Sequence, residues 1–301
     1  MNKSKIPNGF SVLSLPKGWA VIKKQYEPLL TKEVIPFIGE FPFSPSDSES
    51  SGRTCKTTQI VGGRKGLYRF KLQDAELSTV VVRPCKRGGV LSGLLLKDIY
   101  WSAKRMIDEL IISEMALNKG LAVPQIIGVL LQPKGLGFYK GFIIMREIYN
   151  SLNVSDYLKT VVAHDNARLF HRKKDLIETI SNSLIQFHNC GFYHSDLNIT
   201  NLVLQRDDAE KLKIWIIDLD KAKYYKELAF AKRINNLIRL NRSVIKLGLD
   251  KIITSSDRLR FLKSYLGTTG KNNQDFISRI NLRCTANIRR HRLWWRITGK
   301  R

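Results

Sequence analysis

The run Tyr193-His194-Ser195-Asp196-Leu197-Asn198-Ile199-Thr200-Asn201 places a carboxylate and a carboxamide five residues apart, and an apolar stretch further on delivers Asp218-Leu219-Asp220. A carboxylate can take or orient the proton of a hydroxyl. An amide oxygen and a second carboxylate suit Mg2+, a hard cation that takes oxygen ligands. Phosphoryl transfer needs little more, because its transition state is loose and catalysis is mostly positioning and charge neutralisation. The spacing also fits the H-x-D-L-x-x-x-N pattern of kinase catalytic loops. Asp196 is then the base, and Asn201 and Asp218 are the metal ligands, with Asp218 standing where a kinase carries D-F-G. The bland alternative has Asp196 capping a turn and Asp218 capping a strand end. His194 is either a catalytic acid or, as its place in the loop favours, a structural residue bonding backbone.

The nucleotide partners are sought upstream. Gly62, Gly63 and Gly66 lie between two apolar runs, where their backbone N–H groups would cover the phosphates of ATP or simply turn a hairpin. Arg83 ends the β-branched run TVVVR, where protein kinases put the lysine of V-A-I-K; arginine keeps the cation but has a bulkier fork, and Lys86 is the fallback in another strand register. Glu109 is the expected ion-pair partner of Arg83, with Glu114 as its competitor.

These residues imply particular elements. Gln59–Val61, Leu67–Phe70 and Thr79–Arg83 read as strands. A helix is expected from Ala103 to Lys119, stopped by Gly120, then strands at Ile126–Leu131 and Gly141–Met145. Further on, Leu176, Ile180, Leu184 and Phe187 share one face of a helix over Lys173–Cys190, closed by Gly191. Short strands at Asn201–Leu204 and Lys213–Ile217 follow, then a long basic amphipathic helical region from about Ala229 to Leu262. Phe41–Thr58 is rich in Ser, Pro and Thr and reads as a loop, while Gly9–Ile38 would add a strand and a helix. The expected architecture is α+β, a protein-kinase-like two-lobe fold. Residues 1–58 form an extension, 59–148 the small β-rich lobe, 149–285 the mainly helical lobe, and 286–301 a basic aromatic tail.

The 301 residues are 43% hydrophobic, enough for a sizeable core, and carry 51 basic against 26 acidic side chains. That excess attracts nucleic acid, anionic lipid, or a small substrate bearing phosphate or carboxylate. The four cysteines show no paired spacing, which argues against a disulfide framework or zinc site and for a reducing cytosol. The chain has no apolar run of bilayer-spanning length and no signal-like N-terminus, so a cytoplasmic protein, able to lie against a membrane, is expected.

Several segments resemble the bacterial lipopolysaccharide kinase family, which phosphorylates inner-core sugars. They are Val82-Arg83-Pro84-Cys85-Lys86-Arg87-Gly88-Gly89, Glu109 to Pro124 (ELIISEMALNKGLAVP), Gly191 to Asn198, Ile217-Asp218-Leu219-Asp220-Lys221, and Asn236-Leu237-Ile238-Arg239-Leu240-Asn241-Arg242-Ser243. Within the family the chain is most similar to the kinases of 3-deoxy-D-manno-octulosonic acid (Kdo) attached to lipid A. The resemblance implies ATP and Mg2+, Asp196 as base, Asp218 as metal ligand, an Arg83–Glu109 pair, and a peripheral place on the cytoplasmic face of the inner membrane. It departs from the family in a longer N-terminal extension, in Ser195 where a small Ala or Gly is common, and in Leu219 for Phe.

The partners expected are an anionic glycolipid acceptor (lipid A–Kdo) and the inner-membrane surface, with no nucleic acid. Lys221, Lys223, Lys232, Arg233, Arg239, Arg242 and Lys246 gather after Asp220, where no A-P-E motif follows. The tail Arg289-Arg290-His291-Arg292-Leu293-Trp294-Trp295-Arg296 mixes cations with interfacial aromatics, or is merely a solvated basic end. A heptose kinase or atypical protein kinase would use the same machinery. A non-catalytic pseudokinase binding membrane is the third reading, and the retention of Asp196, Asn201 and Asp218 speaks against it.

Overall fold

The computed structural model describes residues 6–38, 57–59, 67–74, 76–85, 103–135, 138–162, 166–206, 211–267, 278 and 282. The chain divides into two compact units, one of residues 1–115 and 124–147, the other of residues 116–123 and 148–301.

The first unit starts with a hairpin, β1 (Phe10–Leu15) and β2 (Gly18–Lys23), followed by two short helices, α1 (Glu27–Glu33) and α2 (Ile35–Ile38). Then come β3 (Thr57–Gln59), β4 (Tyr68–Lys71), β5 (Thr79–Pro84), α3 (Lys104–Asn118), β6 (Ile126–Pro133) and β7 (Tyr139–Arg146). Their antiparallel sheet has the order β1-β2-β6-β7-β5-β4-β3. Both faces are covered, and the period of two sorts the side chains between them. Ala20, Ile22, Val80, Val82, Phe142 and Ile144 meet Leu30, Val34 and Ile38 of the α1–α2 layer. Val21, Val129, Leu131 and Ile143 meet Met106, Ile107 and Leu110 of α3. Arg83 follows Val82 on β5, so its side chain emerges on the α3 face. The segment 10–38 thus supplies two strands and two helices, twice the expected content.

The second unit contains β8 (Ser151–Asn153), α4 (Val154–Val162), α5 (Asn166–Asn189), β9 (Phe192–Tyr193), β10 (Leu202–Arg206), β11 (Leu212–Ile216), β12 (Lys223–Tyr224), α6 (Phe230–Lys246) and α7 (Ser255–Leu266). Strands β11, β10 and β8 form one small antiparallel sheet, and β12 pairs with β9. The long helical region expected over 229–262 is two helices. Gly248 adopts a left-handed conformation (φ 69°), which ends α6, and α7 restarts from a capping box in which Thr254 and Asp257 bond each other's backbone N–H. Helix α5 begins seven residues before the expected Lys173. Asn201 belongs to a 3-10 turn, Ile199–Asn201, and strand β10 begins only at Leu202.

Candidate active site

Helix α5 ends at Asn189, and Gly191 (φ 89°) turns the chain into β9. A Cβ on Gly191 would lie 2.0 Å from the Tyr225 carbonyl oxygen, so glycine alone lets β9 and β12 approach this closely. The Tyr225 N–H donates to the Gly191 carbonyl at 2.8 Å. This hairpin feeds the loop 194–201.

His194 is fully buried and organises that loop. Its Nδ1 accepts the Asp196 N–H at 3.1 Å, so the ring proton sits on Nε2, which donates to the Ile217 carbonyl at 3.0 Å. Burial pushes the imidazole down, outweighing the Ile217 carbonyl and the carboxylates of Asp218 and Asp196, and His194 is neutral. A histidine with both nitrogens committed to backbone has no proton to lend, and its role is the structural one of the two read from the sequence.

The loop's polar side chains close on one another. Asn198 Nδ2 donates to the Asp196 carbonyl at 3.0 Å, and its Oδ1 accepts the Thr200 N–H at 2.9 Å. Asn201 is 2% exposed; its Nδ2 donates to the same Asp196 carbonyl at 2.9 Å, and its carbonyl accepts the Ile217 N–H at 2.9 Å. The residue preceding Asp218 is therefore bonded to Asn201, which is bonded to Asp196. Asp196 lies exposed at the loop surface. Asp218 has left-handed backbone (φ 62°), a conformation that Asp tolerates better than most residues and that strained functional positions often hold. Three of the residues singled out in the sequence thus share one hydrogen-bonded frame.

That frame is held from beneath by Asn236 and Ser243, marked in the sequence only as the ends of a family-like segment, and by His188, Tyr265 and Asn153. Asn236 of α6, fully buried, accepts the His194 N–H at 3.2 Å and donates to the His194 carbonyl at 2.8 Å. Its Oδ1 also meets His188 Nε2 at 3.1 Å, while His188 Nδ1 meets the Tyr265 hydroxyl at 2.6 Å. Burial pushes His188 down to about 4 and Tyr265 up to about 12, so both are uncharged. Ser243, two turns further along α6, accepts the Ile199 N–H at 2.8 Å. Asn153 donates to the Thr200 carbonyl at 2.6 Å. The signal for Asn236 was a polar residue on the apolar stripe of α6, among the buried Ile234, Leu237 and Leu240.

In the first unit, Arg83 Nη2 bonds Glu109 Oε1 at 2.6 Å, and the Glu109 side chain is 8% exposed. The competing Glu114 is paired instead with Lys23 of β2 at 3.1 Å, a cation that also lies over the Phe10 ring. Gly62, Gly63, Gly66 and Lys86 lie outside the described residues, as does the tail 286–301.

For a Mg2+ ion the donor set fits. The amide nitrogen of Asn201 is committed to Asp196, which leaves its oxygen for the cation, and Asp218 brings a carboxylate from the adjoining strand end. No group of three or more His, Cys, Asp or Glu side chains suited to a metal occurs among the described residues, so such an ion would draw on these two residues and the nucleotide phosphates.

An antiparallel sheet whose arginine is paired to a helix glutamate, and a mainly helical unit bearing an H-x-D-L-x-x-x-N loop braced from below, define a kinase of the protein-kinase-like fold; as a kinase it uses ATP. The chain belongs to the Lipopolysaccharide kinase (Kdo/WaaP) family, whose model matches residues 56–265. It is 32% identical over 205 residues to a 3-deoxy-D-manno-octulosonic acid kinase of Vibrio vulnificus strain YJ016, spanning 66% of this chain and 79% of that one. It is 28% identical over 236 residues to the kinase of the same name from Vibrio parahaemolyticus, spanning 76% and 91%. A solved structure of WaaP in complex with acyl carrier protein covers 76% of this chain and 88% of its own at 16% identity, with a TM-score of 0.49. No helix among the described residues is long and apolar enough to cross a membrane.

Proposed function

We infer that this protein transfers the γ-phosphoryl group of ATP to a hydroxyl of Kdo linked to lipid A, working at the cytoplasmic surface of the inner membrane. The observation that carries the mechanism is the single frame binding Asp196, Asn201 and the strand end before Asp218. Asp196, exposed and with its backbone fixed on both sides, takes the proton of the attacking hydroxyl. Asn201 and Asp218 would hold Mg2+, which would neutralise charge on the transferring phosphoryl group. Arg83, held by Glu109, would pair with nucleotide phosphates through a guanidinium that cannot lose its charge. The first compact unit serves as the nucleotide lobe and the second as the catalytic lobe. Kdo is favoured as acceptor by the curated relatives at about this chain's degree of likeness, which carry the Kdo kinase name.

The test is incubation with ATP and Mg2+ on three acceptors: Kdo–lipid A, heptose-bearing core, and a general protein substrate. Mass spectrometry should show a phosphate gained on Kdo alone. Phosphate on heptose or on protein instead would refute the acceptor. Wild-type transfer by either Asp196→Ala or Asp218→Asn would refute the mechanism.

A further inference from the structure

We propose that residues 221–233 form the surface by which this protein docks on an anionic lipid bilayer; the inference rests on the lipid-linked acceptor proposed above and names the face that meets the membrane. Within these thirteen residues stand Lys221, Lys223, Lys226, Lys232 and Arg233 against one acid, Glu227. Lys221, Lys223 and Lys226 are exposed. So are two aromatic side chains, Tyr224 at 37% and Phe230 at 49%. Cations with interfacial aromatics are what an anionic membrane surface attracts, the first by charge and the second by partial burial among headgroups.

The segment is held in place and tied to the catalytic loop. The Ser195 hydroxyl donates to the Lys221 carbonyl. Tyr193 stands opposite Lys223 in the β9–β12 pair, and the Tyr224 ring lies 5.3 Å from Phe192. Arg233 bonds Asn189 at the end of α5 at 2.7 Å. A bilayer that meets this surface therefore meets a segment bonded to Ser195, the residue next to Asp196, which suits a sugar carried on a lipid anchor.

Nucleic acid is the rival partner for such charge, and the tyrosines decide between them. Single-stranded binding uses open aromatic faces on which bases stack. Here Lys232 lies over both Tyr193 (5.7 Å) and Tyr225 (4.8 Å), and Lys119 over Tyr224 (5.4 Å). Each of these rings has one face already met by the protein's own ammonium group, which adds to a cationic surface and leaves fewer stacking platforms.

The experiment is co-sedimentation of the full chain with vesicles of phosphatidylcholine alone or mixed with phosphatidylglycerol. The wild type should bind only the mixed vesicles. Lys223→Glu combined with Lys226→Glu should lower the partition coefficient about thirty-fold, counting only the lost attraction of two lysines. Phe230→Ser should lower it about five-fold, for a ring half removed from water on docking. The pair Lys251→Glu with Lys263→Glu changes net charge equally on exposed positions of the same unit and should leave binding near wild type. Equal loss from the 251/263 pair, or undiminished binding by the 223/226 variant, would overturn the proposal. Loss of oligonucleotide binding without loss of vesicle binding in the 223/226 variant would overturn it in favour of nucleic acid. The Asp196→Ala protein should still sediment with vesicles. If no sugar acceptor is phosphorylated, the catalytic reading falls while the vesicle result still decides the docking face.

Discussion

Replacing Asn236 by alanine should cost this protein both stability and turnover. The side chain is fully buried and satisfies three groups: the His194 N–H at 3.2 Å, the His194 carbonyl at 2.8 Å and His188 Nε2 at 3.1 Å. Alanine orphans all three, and each buried orphan costs about 1–3 kcal/mol. Water entering the space left behind would relieve part of that, so a loss of about 3 kcal/mol is the lower figure to expect. At about 2–4 °C per kcal/mol for a unit of this size, the melting temperature should fall by about 6–12 °C. Calorimetry reads the shift, with Asn235→Ala as the comparison, since that neighbour is exposed and should stay within about 0.5 kcal/mol. The Asp196 N–H hangs from the His194 ring, so the turnover number should drop as well, even well below the melting transition. An Asn236→Ala protein as stable and as fast as wild type would show that the buried network does not hold the loop.

Acid should weaken the same network. An unfolded histidine takes a proton near pH 6.5, whereas buried His188 resists until about 4. Its contribution is therefore complete above about pH 6.5 and drains as pH falls toward 4, by about 3 kcal/mol in all. Urea unfolding across that interval reads the slope, and stability that rose on acidification would contradict it. Gly191→Ala forces a Cβ to within 2.0 Å of the Tyr225 carbonyl at a left-handed position, so it should open the β9–β12 pair and cost at least about 2 kcal/mol, visible as a lowered melting temperature. Glu109→Gln removes the carboxylate charge that Arg83 bonds in a partly buried site; a loss of about 3 kcal/mol and a raised KM for ATP are expected, with Glu114→Gln leaving that KM near wild type because Glu114 serves Lys23. An equal effect of the two glutamine variants on KM would count against the assignment of Arg83.

The parts legible in the sequence were those whose information is local. Asp196 and Asn201 lie five residues apart in one loop, and the apolar run before Asp218 announces its strand. Arg83 was reachable because it ends a β-branched run, and Glu109 because it stands eleven residues before Gly120, as in the family the segment resembles. The unread parts depend on distant partners. The Lys23–Glu114 pair joins residues 91 positions apart, and Asn236 meets His194 across 42. Strands β9 and β12 have two residues each, too few for any periodicity to register. The break at Gly248 was hidden because the flanking tracts are both basic and amphipathic, so one continuous helix satisfied the pattern as well as two did.

The backbone at Asp218 has a practical consequence for anyone wanting an inert form of this protein. With φ at 62°, the position accepts aspartate, asparagine and glycine readily and penalises alanine, which lacks a side chain able to compensate a left-handed twist. An alanine substitution there would mix chemical loss with misfolding. Asparagine keeps the shape and removes the charge, so Asp218→Asn is the variant that tests the proposed metal role without a change of backbone.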